Sequence, residues 1–175
     1  MPRALVLIDI QKEFAKHIFN NQEVINNSKK LIDHFKKKGW PVFYIQDFHT
    51  DRKDPEFKLF GCHAMKGTKG VEYVEELKPD KKDILIRKKR LSAFFGTNLE
   101  KQLKQKKIKE IYLCGIYTDF CVLATAIDGL MRDYQVMVVE DAVGTSNLKR
   151  QERGLKIMID DGAVLVKTNK LVKKR

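Results

Sequence analysis

The chain has only three cysteines in 175 residues. An odd count without a secretory signal argues against a disulfide framework as the basis of the fold. No apolar run approaches the roughly 18–20 residues that cross a bilayer, so a membrane-spanning protein is not expected. The opening "MPRALVLIDIQKEF" lacks a signal-peptide layout, because Asp9 interrupts the apolar run and no small-residue cleavage site follows. A cytoplasmic protein is expected. Internal repeats, low-complexity stretches and linker-like segments are missing as well, which predicts a single domain over 1–175. Acidic residues are in the minority: 23 Asp+Glu stand against 35 Lys+Arg, a net charge of +12. The basic residues are nevertheless spread over "FKKKG", "PDKKD", "IRKKR", "KQLKQKKIK" and the tail "LVKKR". No interleaving of aromatic and basic residues suggests a base-stacking platform. Solvated Lys-rich faces with some attraction for anions are therefore expected, and no nucleic-acid partner.

What is present is the material of a globular core, 43% hydrophobic against 33% charged residues. Short apolar, β-branched runs recur at 4–10, 41–47, 83–88, 110–116, 135–141 and 163–168. Their nearly continuous hydrophobicity is that of strands covered on both faces. Helix-patterned segments lie between them: "NNSKKLIDHFKKKG", "TNLEKQLKQKK", "DFCVLATAIDGLMRD" and "SNLKRQERGLKIMIDDG". Asn27 or Ser28, Thr97 and Ser146 are candidate caps, with Gly39 and Gly162 as terminators. The alternation predicts a Rossmann-like, three-layer α/β/α fold around an open parallel sheet. Sites in such sheets form at the carboxyl ends of strands near the switch in strand order. Asp9, Asp47 and Lys88 end the first three runs and Cys121 follows the fourth, so four polar candidates fall on one rim. The irregular piece from Phe48 to Gly70 is a candidate functional loop.

Each candidate has two readings. A helix starting near Thr118 or Asp119 puts Cys121 in its first turn, where free N–H groups favour a thiolate. The helical wheel gathers Phe120, Leu123, Ala124, Ile127, Leu130 and Met131 into one stripe and leaves Cys121 with Thr125, Asp128 and Arg132. That displacement brings the nucleophile reading level with that of a core cysteine, and both stay open on the residues alone. Cys114, in the middle of a strand, reads as core. Asp9 suits a turn cap or a general base, and Lys88 a solvated lysine or a charge that stabilises thiolate and oxyanion. Asp47 and His49, at i and i+2 on an extended segment, point the same way, and His63 can complete a site. Two nitrogens and a carboxylate suit zinc, manganese or iron. Cys62 is a competing ligand or a bystander; His17 and His34 read as peripheral.

Four motifs, "ALVLIDIQKEF", "ILIRKKRLSAFFGTNLE", "GIYTDFCVLATAIDG" and "VMVVEDAVGTSN", stand in this order over nearly the whole chain. With them the sequence resembles the isochorismatase-like cysteine hydrolases, and within these the nicotinamidase branch. The resemblance implies a six-stranded parallel sheet and a catalytic triad of Asp9, Lys88 and Cys121. It implies a cis peptide just before Tyr117, with the backbone N–H groups of Tyr117 and Cys121 as an oxyanion hole. It further implies a divalent metal, zinc by first choice and manganese or iron otherwise, on Asp47, His49 and His63. Phe14 and Phe60 would flank the substrate, with Tyr117 shaping its pocket. The implied activity is hydrolysis of nicotinamide to nicotinate and ammonia through a cysteine thioester, a step of pyridine nucleotide salvage. The expected partner is a small-molecule amide, with a homo-oligomeric assembly. Leu91, Phe60, Gly61-Cys62 and the bulk of Tyr117 depart from the family pattern and bear on pocket shape. Hydrolysis of another small amide by the same chemistry is the alternative.

Overall fold

A computed structural model describes residues 1–172. Lys173, Lys174 and Arg175 of the basic tail lie outside the described residues. Six strands form one parallel sheet: β1 (Arg3–Ile8), β2 (Val42–Asp47), β3 (Ile84–Lys88), β4 (Glu110–Ile116), β5 (Gln135–Gly144) and β6 (Val164–Val166). Their spatial order is β3-β2-β1-β4-β5-β6. Alternate side chains of β1 face opposite layers: Leu5 and Leu7 pack into one core, and Ala4, Val6 and Ile8 into the other. The first core is closed by α1 (Lys12–Ala15), α2 (Asn21–Lys37) and α7 (Thr168–Leu171). The second is closed by α4 (Leu99–Gln105), α5 (Leu123–Leu130) and α6 (Leu148–Asp160). This is the three-layer α/β/α arrangement that the alternation predicts.

Local signals were less exact than the architecture. Helix α2 starts at Asn21, so Asn27 and Ser28 lie buried inside it rather than capping it. Asn27 is tolerated there because its side-chain amide donates to the carbonyl of Asp141 at 2.6 Å. Asn147, not Ser146, caps α6, its Oδ1 accepting from the N–H of Arg150 at 3.0 Å. At α4 the Thr97 hydroxyl accepts from Leu99 N–H at 3.2 Å, one residue before the positional cap Asn98.

The wheel drawn for α5 is right only in part: Phe120, Leu123 and Leu130 of its stripe pack, partly buried, against the core. Cys121, Val122, Thr125, Ala126 and Gly129 face the interior, while Ile127 is 36% and Met131 73% exposed. Small side chains let this helix sit close on the sheet, and Ile127 and Met131 are left outside. A stripe chosen by hydrophobicity alone misplaces such residues where packing distance governs the choice.

The chain runs outward from β1 through β2 to β3, then returns to β4 beside β1 and runs outward again. The carboxyl ends of β1 and β4 therefore border the switch point, where connections diverge and leave a crevice. Gly115 (φ +128) sits in this seam, opposite Ile8. A Cβ there would run into the Ile8 backbone carbonyl. Gly115→Ala is expected to cost about 3–5 kcal/mol, read as a fall in the urea midpoint. A midpoint unchanged from the parent would show that the seam relaxes freely.

Candidate active site

Asp9 leaves β1 with φ +51, a conformation that aspartate adopts more readily than most residues. That turn aims its buried carboxylate across the crevice instead of along the strand. Lys88, at the end of β3, stands in register beside Asp47 at the end of β2. Its side chain is fully buried, with Nζ 2.8 Å from Asp9 Oδ2 and 3.6 Å from Asp47 Oδ2. The same ammonium donates to Cys121 Sγ at 3.5 Å. The rim thus brings Asp9, Lys88 and Cys121 into one cluster and ties it to Asp47.

Burial raises the Asp9 carboxyl, and Lys88 restrains the rise; the group is pushed up to about 6. Burial would lower Lys88, yet the charges of Asp9, Cys121 and Asp47 outweigh it and hold the ammonium protonated. For Cys121, burial dominates and the thiol is raised despite Lys88. At neutral pH the resting set is a carboxylate, an ammonium and a neutral thiol. Burial also opposes ionisation of Asp47, but the Lys88 charge and the adjacent imidazoles of His49 and His63 prevail, leaving it well below the usual range.

Cys121 belongs to a π-helical turn, Thr118–Val122, not to the first turn of an α-helix. The peptide Ile116–Tyr117 is cis. Phe120 and Val122 both donate their N–H groups to the Tyr117 carbonyl at 3.1 Å, closing the turn tightly. Thr125 links it to the next segment, donating to Cys121 O at 2.7 Å and accepting from Ala93 N–H at 3.0 Å. Asp119, its side chain buried, is held by Thr145, Arg150 and Arg153. The backbone donors expected at Tyr117 and Cys121 are carried on this braced segment.

Beside the cluster, Asp47, His49, Glu56 and His63 bring four donor atoms within 4.8 Å of one another. Glu56 went unnoticed in the sequence; it lies in "DPEF", where the turn entering α3 (Phe57–Phe60) swings it back over His49. Buried Asp47 Oδ1 and Glu56 Oε2 converge on His49 Nε2 at 3.0 and 3.3 Å, and none of the three makes a well-aligned hydrogen bond among the described residues. Converging orphaned acceptors at this spacing fit a divalent cation. The outer ring nitrogens are held: His49 Nδ1 is 3.3 Å from Asp54 and His63 Nδ1 2.7 Å from Gly61 O. Such anchoring fixes Nε2 toward an ion. Burial and the nearby Asp47 push Glu56 above the usual carboxylate range, a repulsion that a cation relieves. Gln11, wholly buried, clamps Asp47 by exchanging two hydrogen bonds with its backbone, at 3.0 and 2.9 Å. That positioning role had no separate signal in the sequence.

A pocket of about 330 Å³ opens over both groups, lined by Phe14, Phe60, Leu91, Tyr117, Phe120, Ser146 and Arg150 above Asp9, Asp47, Glu56, His63 and Cys121. The expected Phe14, Phe60 and Tyr117 are among these; Phe120, Ser146 and Arg150 were not anticipated. A larger groove, about 1130 Å³, lies by Arg3, Trp40 and Asp83 at the amino ends of the strands. Its lining holds no thiol or imidazole, whereas that of the smaller pocket holds Cys121 and His63. Cys114 is buried on the other face of the sheet, its thiol pushed up to about 12 by burial. Cys62 is exposed, His17 is exposed, and His34 lies on α2 away from the rim.

A family model for the isochorismatase domain matches residues 3–170. Among solved structures, N-carbamoylsarcosine amidase from Thermoplasma acidophilum superposes with a TM-score of 0.86 at 32% identity, covering 97% of this chain and 98% of that one. Nicotinamidase PncA from Bacillus subtilis gives 0.87 at 31%, covering 95% and 100%. The pyrazinamidase of Pyrococcus horikoshii, a complex with zinc, gives 0.86 at 28%, covering 95% and 99%.

Equilibrium dialysis against Zn²⁺ is expected to load one ion per chain, with Co²⁺ giving the visible bands of a mixed nitrogen–oxygen site. Glu56→Gln should weaken binding by about tenfold or more, whereas His17→Ala should leave it unchanged. Equal affinity in the Glu56 variant would remove that residue from the donor set.

Proposed function

The chain belongs to the isochorismatase family of hydrolases, and on that basis we propose that it is a cysteine amidohydrolase of the nicotinamidase type, converting nicotinamide to nicotinate and ammonia. The observation that carries this reading is the buried Lys88 ammonium, in contact with both Asp9 and Cys121 beside a four-donor cluster. Cys121 Sγ attacks the carboxamide carbon as its proton passes to Asp9. Lys88 balances the anionic charge, and the N–H groups of Tyr117 and Cys121 receive the oxyanion. Asp9 then returns the proton to the departing nitrogen, the C–N bond breaks, and ammonia leaves a thioester. Asp9 next deprotonates a water that attacks the thioester carbon; the C–S bond breaks, nicotinate leaves and the thiol is restored. Asp47, His49, Glu56 and His63 are the residues that would hold a divalent cation, zinc by first choice. Such an ion would supply a Lewis-acidic point for a pyridine nitrogen.

The rings of Phe14, Tyr117 and Phe60 suit a flat aromatic body, which favours nicotinamide. The comparable likeness to N-carbamoylsarcosine amidase supports a second reading, the same cysteine chemistry on another small amide. On that second reading the same triad acts with or without the ion, and a panel of small amides read by ammonia release separates the two.

Cys121→Ser and Asp9→Asn are each expected to cut ammonia release from nicotinamide by about 10³-fold or more, with circular dichroism unchanged. Turnover retained in either variant removes that residue from the mechanism. Because Asp9 accepts a proton only when ionised and burial has raised it to about 6, kcat/KM should rise with pH through about 6 and then level off. A rate that falls over the same interval would contradict Asp9 as the base.

A further inference from the structure

Three of the basic runs that lie far apart in the sequence meet in one place. Lys36 of "FKKKG", Lys81 and Lys82 of "PDKKD", and Lys106 of "KQLKQKKIK" all line the groove of about 1130 Å³ at the amino ends of the strands. The cause is topological. These runs lead into β2, β3 and β4, and parallel strands that neighbour one another begin at the same edge. Arg3, which opens β1, adds a fifth cation to the lining. Part of the positive charge expected on scattered solvated faces is thus gathered on one rim.

Some of this charge is already answered. Lys36 Nζ is 2.8 Å from Asp83 Oδ2 and 3.5 Å from Asp80 Oδ2, and Arg3 Nε donates to Glu110 at 3.0 Å. Lys81, Lys82 and Lys106 are exposed, and among the described residues no acidic side chain pairs with them. Nor does any acceptor there engage the terminal nitrogens of Arg3. Free carbonyls at helix ends on this rim would repel an anion, but they are occupied. Those of His34, Phe35 and Lys36 accept from the N–H groups of Lys38, Trp40 and Gly39. Those of Gln102, Leu103 and Lys104 accept from Lys106, Ile108 and Lys107.

Trp40, Pro41, Ile84 and Ile108 form the apolar part of the lining, with the Arg3 guanidinium 5.3 Å over the Trp40 ring. Ammonium groups are point charges that take phosphate oxygens from many directions. Set on separate segments around a groove of this volume, they suit an anion whose charge is spread along a chain rather than a single compact one.

We propose that this groove is a second binding site, for linear polyphosphate anions of triphosphate length, held by Lys81, Lys82 and Lys106 together with Arg3. It is independent of the amide pocket. Strands β1, β2 and β3 begin in the groove at Arg3, Val42 and Ile84, and they deliver Asp9, Asp47 and Lys88 at their other ends. Occupancy of one site therefore neither fills nor blocks the other.

The single tryptophan makes the groove visible to fluorescence. ATP and inorganic tripolyphosphate should each change the Trp40 emission saturably at submillimolar concentration, with a matching Kd by calorimetry. AMP and orthophosphate should bind at least about tenfold more weakly. Lys106→Gln, and the double variant Lys81→Gln with Lys82→Gln, should each weaken both polyphosphates about fivefold or more, with circular dichroism unchanged. Lys58→Gln, a loss of charge on α3 at the opposite rim, should leave binding as it was. Tripolyphosphate as tight as ATP shows that the phosphate chain alone is read; tighter ATP assigns the apolar lining to its base. The proposal is overturned if neither anion saturates the signal, or if Lys58→Gln weakens binding as much as the groove variants, which marks a response to net charge alone. An RNA oligonucleotide that displaces ATP at far lower concentration overturns it too, by marking the face as a nucleic-acid surface. In the Cys121→Ala protein, ATP should stay bound when nicotinamide is added in excess; its displacement would put the anion in the amide pocket and overturn the proposal.

Discussion

One buried ammonium organises the rim. Lys88 has no solvent-exposed side-chain area, and it sits within ion-pair or hydrogen-bond range of Asp9, Asp47 and Cys121. An unpaired charge at such depth is untenable, so lysine and carboxylates require one another. Their mutual field fixes the protonation pattern: Lys88 stays charged, Asp47 stays ionised, and Asp9 is left near the pH at which a base is useful. The Cys121 thiol is raised by burial, and on the proposed mechanism it needs that carboxylate to take its proton.

The fold makes this concentration of charge tolerable. Parallel strands end together, and the reversal of strand order between β1 and β4 opens a crevice at their carboxyl ends. Residues far apart in sequence arrive there on rigid supports. Gln11 clamps the end of β2, the Asp119 ion pairs brace the turn after β4, and Asp54 and Gly61 hold the outer nitrogens of His49 and His63. Arg90 in turn pairs with Asp54 at 2.9 Å, so the four-donor cluster rests on a second layer of charge. The donor cluster and Arg150 both line the pocket, with the rings of Phe14, Tyr117 and Phe120 between them.

Legibility in the sequence followed the physics of each signal. The strand–helix alternation and the positions of Asp9, Asp47, Lys88 and Cys121 depend on local pattern and chain order, and both were readable. The stripe on α5 holds for Leu123 and Leu130 but not for Ile127 and Met131, because Thr125, Ala126 and Gly129 are buried for closeness of packing rather than for hydrophobicity. Glu56 and Arg150 escaped because each is an ordinary charged residue in its own segment. Only the turn into α3 and the packing of α6 on the turn that carries Cys121 bring them to the pocket.

By itself, then, the sequence determined the order of strands and helices, the chemical kind of residue at each strand end, and the separation of Cys114 from Cys121. Period and spacing are properties of the chain alone, and they suffice for that much. Tertiary structure decided which carboxylate would be the raised one, which fourth donor joins the two histidines, and which face of α5 is interior. It also gave an arginine two residues past a helix start a position in the pocket wall. Those outcomes turn on distances and on depth below solvent, and both arise only when segments from opposite ends of the chain meet.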